Sequence, residues 1–241
     1  MSLYAFDRDQ GGSVFRQIAR TLEADIKARY RPGDALPAEP VLAERFGVNR
    51  HTVRRAVDVL IEAGLLERRH GRGTFVLGLI DYAISTRTRF TEQLESQGLS
   101  ADTEVIRRLI VPAANGVARR LNLAEGEDVV FIETRRRADG QPFCLVSHFL
   151  PARDYAGPLE AYAGGSLHAF LTEHLDLRLR RVESLVTATL PQGDDAQLLS
   201  MPRNTPVLRV KSLNVCEDTG APVEYALTRF RADRVQLSVA V

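Results

Sequence analysis

Apolar positions within residues 36–76 repeat first with the spacing of a helix and then with that of strands. One set recurs at i, i+3, i+4 and i+7, which predicts a helix with a single buried face. Its members are Val53, Ala56, Val57 and Leu60. Asn49 is a suitable N-cap for this helix, and Gly64 is a suitable left-handed stop just past Ala63.

A hairpin is predicted directly after this helix. Residues 65–66 and 74–76 are strand-like, and the basic segment Arg68-Arg69-His70-Gly71-Arg72-Gly73 joins them. Its two glycines permit a positive φ and a close approach to another molecule. Two helices, a tight turn and a hairpin describe a winged helix-turn-helix, which places one helix in the DNA major groove.

The pattern changes near residue 80, which divides the chain. Residues 13–29 predict a helix that braces a DNA-binding domain over 1–78, and the weakly periodic residues 79–88 predict a linker. A second domain follows over 89–241. Its predicted strands are 103–111, 129–137, 143–150, 180–190, 207–215, 223–231 and 235–239, and its predicted helices are 90–97, 113–121, 166–174 and 194–199.

The turns between these strands indicate how the second domain is built. Several are short, and Ala138-Asp139-Gly140 is a good hairpin signal. Adjacent strands with short turns predict a mostly antiparallel sheet, with the helices on one face. The expected fold class is therefore α+β.

Charge is concentrated in the predicted DNA-binding segment. The whole chain carries 32 Lys and Arg against 31 Asp and Glu, whereas residues 45–72 hold seven Arg against three acidic residues. Arg50, His51, Arg54 and Arg55 fall opposite the apolar face of the second helix. A local basic patch on a near-neutral chain suits a site-specific DNA binder with a large second domain. A nonspecific DNA binder would not need that second domain.

Other features argue against several classes of protein. Cys144 and Cys216 are the only cysteines, so neither a disulfide framework nor a zinc site is expected. The first residues do not resemble a signal peptide, and no apolar run is long enough to span a bilayer, so we expect a cytoplasmic protein without a membrane partner. No catalytic triad, phosphate loop or metal-binding spacing is visible, so neither enzymatic activity nor a cofactor is expected.

Residues 36–76 resemble the GntR family of bacterial transcription regulators almost throughout, reading LPAEPVLAERFGVNRHTVRRAVDVLIEAGLLERRHGRGTFV. The resemblance and the basic surface together imply a set of DNA contacts. These are Glu39, Asn49, Arg50, His51, Thr52, Arg54, Arg55, His70, Gly71 and Arg72. Pro40 stands where many members carry Arg, and its side chain cannot donate that contact. We therefore expect a different operator preference.

The second domain resembles the ligand-sensing UTRA domain of the HutC subgroup of this family, which shares the chorismate lyase fold. The segments FTEQLESQGL, RRRADGQPF, SHFLP, GSLHAFL and MPRNTPVLRV occur in the familiar order. Within the subgroup the best match is to regulators of phosphonate utilisation. The resemblance implies a homodimer on double-stranded operator DNA and a small anionic effector bearing a phosphonate or phosphate group.

The same resemblance implies which residues bind the effector. Positions matching Arg89, Thr134, Arg136, Ser166 and His168 hold the phosphate in relatives, and those matching Glu224 and Phe230 face the rest of the ligand. Relatives carry Arg at the position of Thr134 and Tyr at that of Phe230, so the organic part of the ligand should differ. Plainer roles remain open: Ser166 as a helix cap, Arg89 as a linker charge, Arg136 paired with Glu133 or with an acid on a neighbouring strand, and Glu224 as a sheet residue paired with Arg229 or Arg231.

The expected function is a repressor of phosphonate uptake and metabolism genes that the effector releases from DNA. A sugar phosphate or a carboxylate such as urocanate remains an alternative effector. The same effector could instead promote DNA binding. A chorismate-lyase-like enzyme is the remaining, weaker alternative.

Overall fold

The structure is a computed structural model that describes residues 13–69, 71–85 and 90–239. The chain divides into two compact units, Met1–Leu79 and Ile80–Val241. None of the helices in the described ranges is long and apolar enough to cross a membrane.

The first unit consists of three helices and a hairpin. The elements are α1 (Val14–Arg29), α2 (Glu39–Phe46), α3 (Arg50–Glu62), β1 (Leu66–Arg69) and β2 (Gly73–Val76), with the two strands antiparallel. The predicted apolar face of α3 is buried against Ile18 and Leu22 of α1 and Phe46 of α2. The predicted helix ends are also confirmed, since Asn49 caps α3 and Gly64 adopts a φ of +72° just past it.

The second unit is built on one antiparallel sheet in the order β4-β5-β6-β9-β8-β7. In chain order its elements are β3 (Ile80–Ile84), α4 (Phe90–Glu95), β4 (Ala101–Pro112), α5 (Asn115–Leu121), β5 (Asp128–Ala138), β6 (Gln141–Pro151), α6 (Ala152–Leu159), α7 (Leu167–Leu175), β7 (Leu179–Thr189), α8 (Asp195–Leu198), β8 (Val207–Cys216), β9 (Pro222–Arg231) and β10 (Val235–Val239).

The prediction that the helices lie on one face of this sheet is wrong. Leu159 of α6 and Leu171 of α7 pack with Ile132 of β5, whereas Ala196 of α8 packs with Leu145 of β6 on the opposite face. The central strand β6 is buried over most of its length on both sides. Because both of its faces are apolar, both must be covered.

Two elements were not predicted. Ile80–Ile84, which falls in the predicted linker, forms β3 and pairs in parallel with β10. Only Tyr82 and Ile84 are buried in this short strand, too few to produce a clear periodicity. Helix α6 contains Gly157 and Pro158, which lower helix propensity, and is retained because Leu159 is fully buried.

Candidate functional site

A cleft in the first unit separates α3 from the hairpin, and we name it the arginine cleft. It is lined by Glu39, Arg50, Arg54, Arg68, Arg69, Gly71, Gly73 and Thr74. Four of these eight residues are arginines, from both α3 and β1. The predicted reading helix and the predicted wing therefore contribute cations to one surface.

Glu39 holds two of these arginines in place. Its carboxylate accepts from Arg50 Nε at 3.2 Å and from Arg68 Nη2 at 3.4 Å. Arg68 Nη1 also lies 3.1 Å from Asp58 Oδ1 on α3. Glu39 thus links α2 to α3 and β1, and it sets where two guanidinium groups sit at the cleft.

The other predicted DNA contacts fall into three groups. Asn49 Oδ1 accepts from the backbone N–H of Thr52 at 2.8 Å and from its hydroxyl at 2.9 Å, which starts α3 at a fixed position. His51, Arg54, Gly71 and Arg72 are exposed. Arg55 lies over the ring of Phe15 on α1, 4.1 Å from its centroid. His70 lies outside the described residues, and the DNA-binding roles stay predictions.

The second unit contains a deeper cleft above the sheet, which we name the sheet cleft. Its lining is Tyr82, Phe90, Thr91, Thr103, Arg136, Cys144, Val146, His148, Gly165, Ser166, Leu167, His168, Arg181, Asn214, Glu224, Ala226, Thr228 and Phe230.

Strand register explains why the polar members of this lining meet. Arg181 on β7 lies opposite Asn214 on β8, and Asn214 lies opposite Glu224 on β9. Directly opposite residues of an antiparallel pair point to the same face of the sheet, so these three side chains form a row across it. His148 on β6 lies opposite Ala226, two residues beyond Glu224.

The sheet cleft contains two arginines without an acidic partner in the described part of the chain. The Nε atoms of Arg136 and Arg181 are both buried and make no hydrogen bond there. Arg136 lies over Phe90, 5.0 Å from the ring centroid. The alternative pairing of Arg136 with Glu133 is wrong, because Glu133 is bound by Arg107 and Arg229 on the other face of β5.

Three donors on neighbouring elements hold Glu224. Its carboxylate accepts from His148 Nδ1, from His168 Nε2 at 2.7 Å and from Asn214 Nδ2 at 2.6 Å. The alternative pairing with Arg229 or Arg231 is also wrong, since these arginines bind Glu133 and Asp233. Glu224 therefore orients two histidines and an amide at the base of the cleft.

The pKa values in this network follow from burial and from the histidines. Burial disfavours the charged form of Glu224, but the Coulomb attraction of His168 and the hydrogen bonds from His148 and His168 outweigh it and hold the pKa of the carboxyl well below its usual range. Burial lowers the pKa of His148, although its hydrogen bond to Glu224 opposes the change. An ionised Glu224 and a neutral His148 are thus favoured at neutral pH.

Ser166 brings the start of α7 to the cleft. Its Oγ accepts from the backbone N–H of Ala169 at 3.2 Å, so it caps the helix, and its own O–H remains able to donate. Gly164 precedes it with a φ of +143°, and a Cβ there would lie 2.8 Å from the carbonyl oxygen of Thr103. Only glycine allows the chain to pass this close to β4.

The structure brings together most of the predicted effector residues. Arg136, Ser166, His168, Glu224 and Phe230 all line the sheet cleft. Thr134 is fully buried beneath it, with Oγ1 3.4 Å from His148 Nε2, so it supports the cleft without lining it. Arg89 lies outside the described residues.

Tyr82, His148, Arg181 and Asn214 were not identified from the sequence as part of the cleft. The sequence does contain one indication of Arg181, because this residue lies among other cations in the segment LRLRRVE. Selecting it required the register of β7, which an irregularity between Arg181 and Glu183 shifts. No group of three or more His, Cys, Asp or Glu side chains within the described ranges is arranged to hold a metal ion.

Comparison with known proteins supports the family resemblance of both halves of the chain. Residues 15–76 match the family model described as bacterial regulatory proteins, gntR family, and residues 96–236 match the UTRA domain. The "Probable transcriptional regulator PhnF" of Escherichia coli (strain K12) is 38% identical over 226 residues, which cover 93% of this chain and 94% of that protein.

Two further similarities extend over nearly the whole chain. The mannosyl-D-glycerate transport/metabolism system repressor MngR of Escherichia coli (strain K12) is 28% identical, over 91% of this chain and 92% of its own. The crystal structure of PhnF from Mycobacterium smegmatis superimposes with a TM-score of 0.65 at 28% identity, over 93% of this chain and 98% of its own.

Proposed function

Because the chain belongs to the GntR family of bacterial regulatory proteins and carries a UTRA domain, we propose that it represses genes of phosphonate uptake and metabolism. It is a transcription regulator and not an enzyme, since both family models and the named relatives are those of regulators. In this proposal a small phosphonate or phosphate-bearing effector enters the sheet cleft and releases the protein from operator DNA.

One observation carries the choice of effector: Arg136 and Arg181 border the same cleft with no acidic partner among the described residues. Unpaired guanidinium groups are costly to bury, so a site that holds two of them is adapted to receive an anion. Their planar forks suit the oxygens of a phosphonate or phosphate, and the hydroxyl of Ser166 adds a donor from a third element.

A sugar phosphate is the second candidate. The two arginines would bind a phosphate ester as well as a phosphonate. MngR, which is similar over most of the chain, is named for a sugar derivative, mannosyl-D-glycerate, although that compound carries a carboxylate and no phosphate. The phosphonate is favoured as the smaller ligand, because packed aromatic rings form one side of the cleft and leave little room there. There Tyr82 and Phe230 have ring centroids 5.0 Å apart, and Phe143 and Phe230 have centroids 5.5 Å apart.

On the DNA side, we propose that the arginine cleft contacts the operator through α3 and the hairpin. Arg50 and Arg54 would read base edges or phosphates in the major groove, and the basic turn around Gly71 would approach the neighbouring groove. Winged-helix regulators commonly act in pairs on two-fold sites, so a homodimer with two reading helices is part of the proposal.

Coupling between effector and DNA is proposed to begin at β3. This strand starts directly after the first unit, and its Tyr82 borders the sheet cleft. A ligand that packs against Tyr82 acts on the first structured segment beyond the DNA-binding unit, and Arg89 would add a contact a few residues later. The bound state would disfavour the placement of the two reading helices that the operator requires.

Calorimetric titration tests the effector assignment. The panel is methylphosphonate, 2-aminoethylphosphonate, inorganic phosphate, glucosamine 6-phosphate and urocanate, each with the wild type and with Arg136→Met, Arg181→Met and Arg180→Met. Arg180 is exposed on the same strand and serves as the matched control. Phosphonate binding that is lost in the first two variants and kept in the third supports the proposal. Binding of urocanate or the sugar phosphate alone would refute it.

A further inference from the structure

Asn214 has a buried acceptor that is left without a donor. The residue is 1% exposed and borders the sheet cleft, yet its Oδ1 atom makes no hydrogen bond to any residue in the described part of the chain. A buried carbonyl oxygen without a donor costs free energy, so such an atom beside a ligand cleft calls for an explanation.

The amide cannot be reversed to remove this problem. Asn214 Nδ2 lies 2.6 Å from Oε2 of Glu224. The low pKa of Glu224 keeps that carboxyl ionised, and an ionised carboxylate can only accept hydrogen bonds. The amide nitrogen must therefore face Glu224, which leaves the amide oxygen for another partner.

The position of Asn214 relates this oxygen to the anion site. Arg181 is its direct cross-strand neighbour on β7, and neighbouring side chains of an antiparallel pair have Cβ atoms about 4.5–5.5 Å apart. A ligand whose anionic group is held by Arg181 thus has its adjoining atoms next to Asn214. Beyond Asn214 the row ends at the negative charge of Glu224.

We infer that the effector carries an ammonium group a few bonds from its anionic group, and that this ammonium donates to Asn214 Oδ1. The inference rests on the proposed effector site and narrows its ligand to an aminoalkyl phosphonate or phosphate. An ammonium supplies the missing donor, and the charge of Glu224 favours a cation at that end. Asn214 and Arg181 together then select ligands that are positive at one end and negative at the other.

The test is calorimetric titration of the full chain with three phosphonates of equal length: 2-aminoethylphosphonate, 2-hydroxyethylphosphonate and propylphosphonate. They differ only in ending with an ammonium, a hydroxyl or a methyl group. We expect the amine to bind about tenfold more tightly than propylphosphonate, the usual effect of one hydrogen bond to a charged group. In Asn214→Leu the ratio of the two affinities should fall to about one.

The possible outcomes distinguish a failure of this inference from a failure of the proposed function. If all three compounds bind the wild type equally, the inference is overturned and the phosphonate site stands; Arg181 itself would then donate to Asn214. Tighter binding of the hydroxyl compound than of the amine would also overturn it. If none of the three binds, both the proposed function and the inference fail. The comparison among ligands uses the wild type, so it does not depend on the folding of Asn214→Leu.

Discussion

His168 on α7 donates through Nε2 to Oε2 of Glu224 on β9, at a distance of 2.7 Å. Helix α7 also carries Ser166 at its start, and the Ser166 hydroxyl is a proposed hydrogen-bond donor to the effector anion. The contact that satisfies the buried carboxylate therefore also fixes the position of this donor. The glutamate is buried and the histidine is partly exposed at the cleft. A ligand that touches His168 therefore acts on a contact between the helix and the sheet.

The Glu224 network predicts a loss of stability in acid. The carboxyl has a folded pKa below its ordinary value of about 4.3, so its stabilisation is complete above that pH and is lost as the pH falls through the folded pKa. His148 has a folded pKa below about 6.5, so the unfolded chain takes up its proton first and stability falls as the pH drops below that value. Both groups therefore lower the free energy of unfolding as the pH falls.

Urea unfolding of the full chain, followed by circular dichroism from pH 7.5 to 3, measures this effect. Glu224→Gln should lower the free energy of unfolding at pH 7.5 by about 1–3 kcal/mol, the cost of losing charge-assisted hydrogen bonds, and the difference from wild type should shrink below pH ~4.3. Glu173→Gln, an exposed change on α7, is the control. A difference independent of pH would contradict the assignment of an ionised Glu224.

Arg54 is predicted to carry operator affinity. It is exposed on α3 and borders the arginine cleft. Arg54→Ala should weaken binding to the preferred DNA by about 1–3 kcal/mol and relax base preference at one position in each half-site. Fluorescence anisotropy with labelled duplexes measures this effect. Arg20→Ala removes an equal charge from α1 of the same unit. An Arg54→Ala variant that retains full affinity would refute the reading-helix assignment.

Glu39 is predicted to contribute to specificity more than to affinity. Its carboxylate orients Arg50 and Arg68, and its negative charge opposes phosphate. Glu39→Gln should therefore strengthen binding to unrelated DNA and reduce the difference in affinity between the preferred sequence and unrelated DNA. The reason is that two less constrained arginines can follow the DNA phosphate backbone. The ratio of the two affinities at fixed salt gives the result. Equal losses on both DNAs would instead indicate a damaged fold.

Gly164 is predicted to be necessary for the shape of the sheet cleft. Gly164→Ala forces a side chain to within 2.8 Å of the Thr103 carbonyl oxygen at a φ of +143°. It should lower the free energy of unfolding by about 1–3 kcal/mol and weaken effector binding. Gly157→Ala in α6 faces open space at a helical φ and should be neutral or stabilising by up to about 1 kcal/mol. Similar stabilities for the two variants would contradict this account.

Local patterns were sufficient to predict the first unit. The cap at Asn49, the stop at Gly64 and the buried face of α3 depend on residues within a few positions of one another, and all three were confirmed. The second unit was harder to predict, because the burial of its residues depends on how the strands pair and on which helices cover them. Leu145 and Val146 are both buried on opposite faces of β6, and a continuous apolar strand does not reveal which helices cover each face.

The cleft residues show the same limit. Arg136, Ser166, His168, Glu224 and Phe230 were named through the family resemblance, and the sheet brings them together. Arg181 and Asn214 were missed because their importance lies in their register opposite each other and opposite Glu224. That relationship joins residues that are far apart in the chain, so it becomes visible only once the strands are paired.

The central claim is that a phosphonate bound between Arg136 and Arg181 releases the protein from its DNA. The most direct test selects the preferred duplex from a random library and then follows its fluorescence anisotropy with the full chain as 2-aminoethylphosphonate is added. The account predicts release from the wild type and from Arg180→Met, and no release from Arg136→Met or Arg181→Met. Unchanged DNA binding by the wild type, or release by glucosamine 6-phosphate or urocanate but not by the phosphonate, would contradict it.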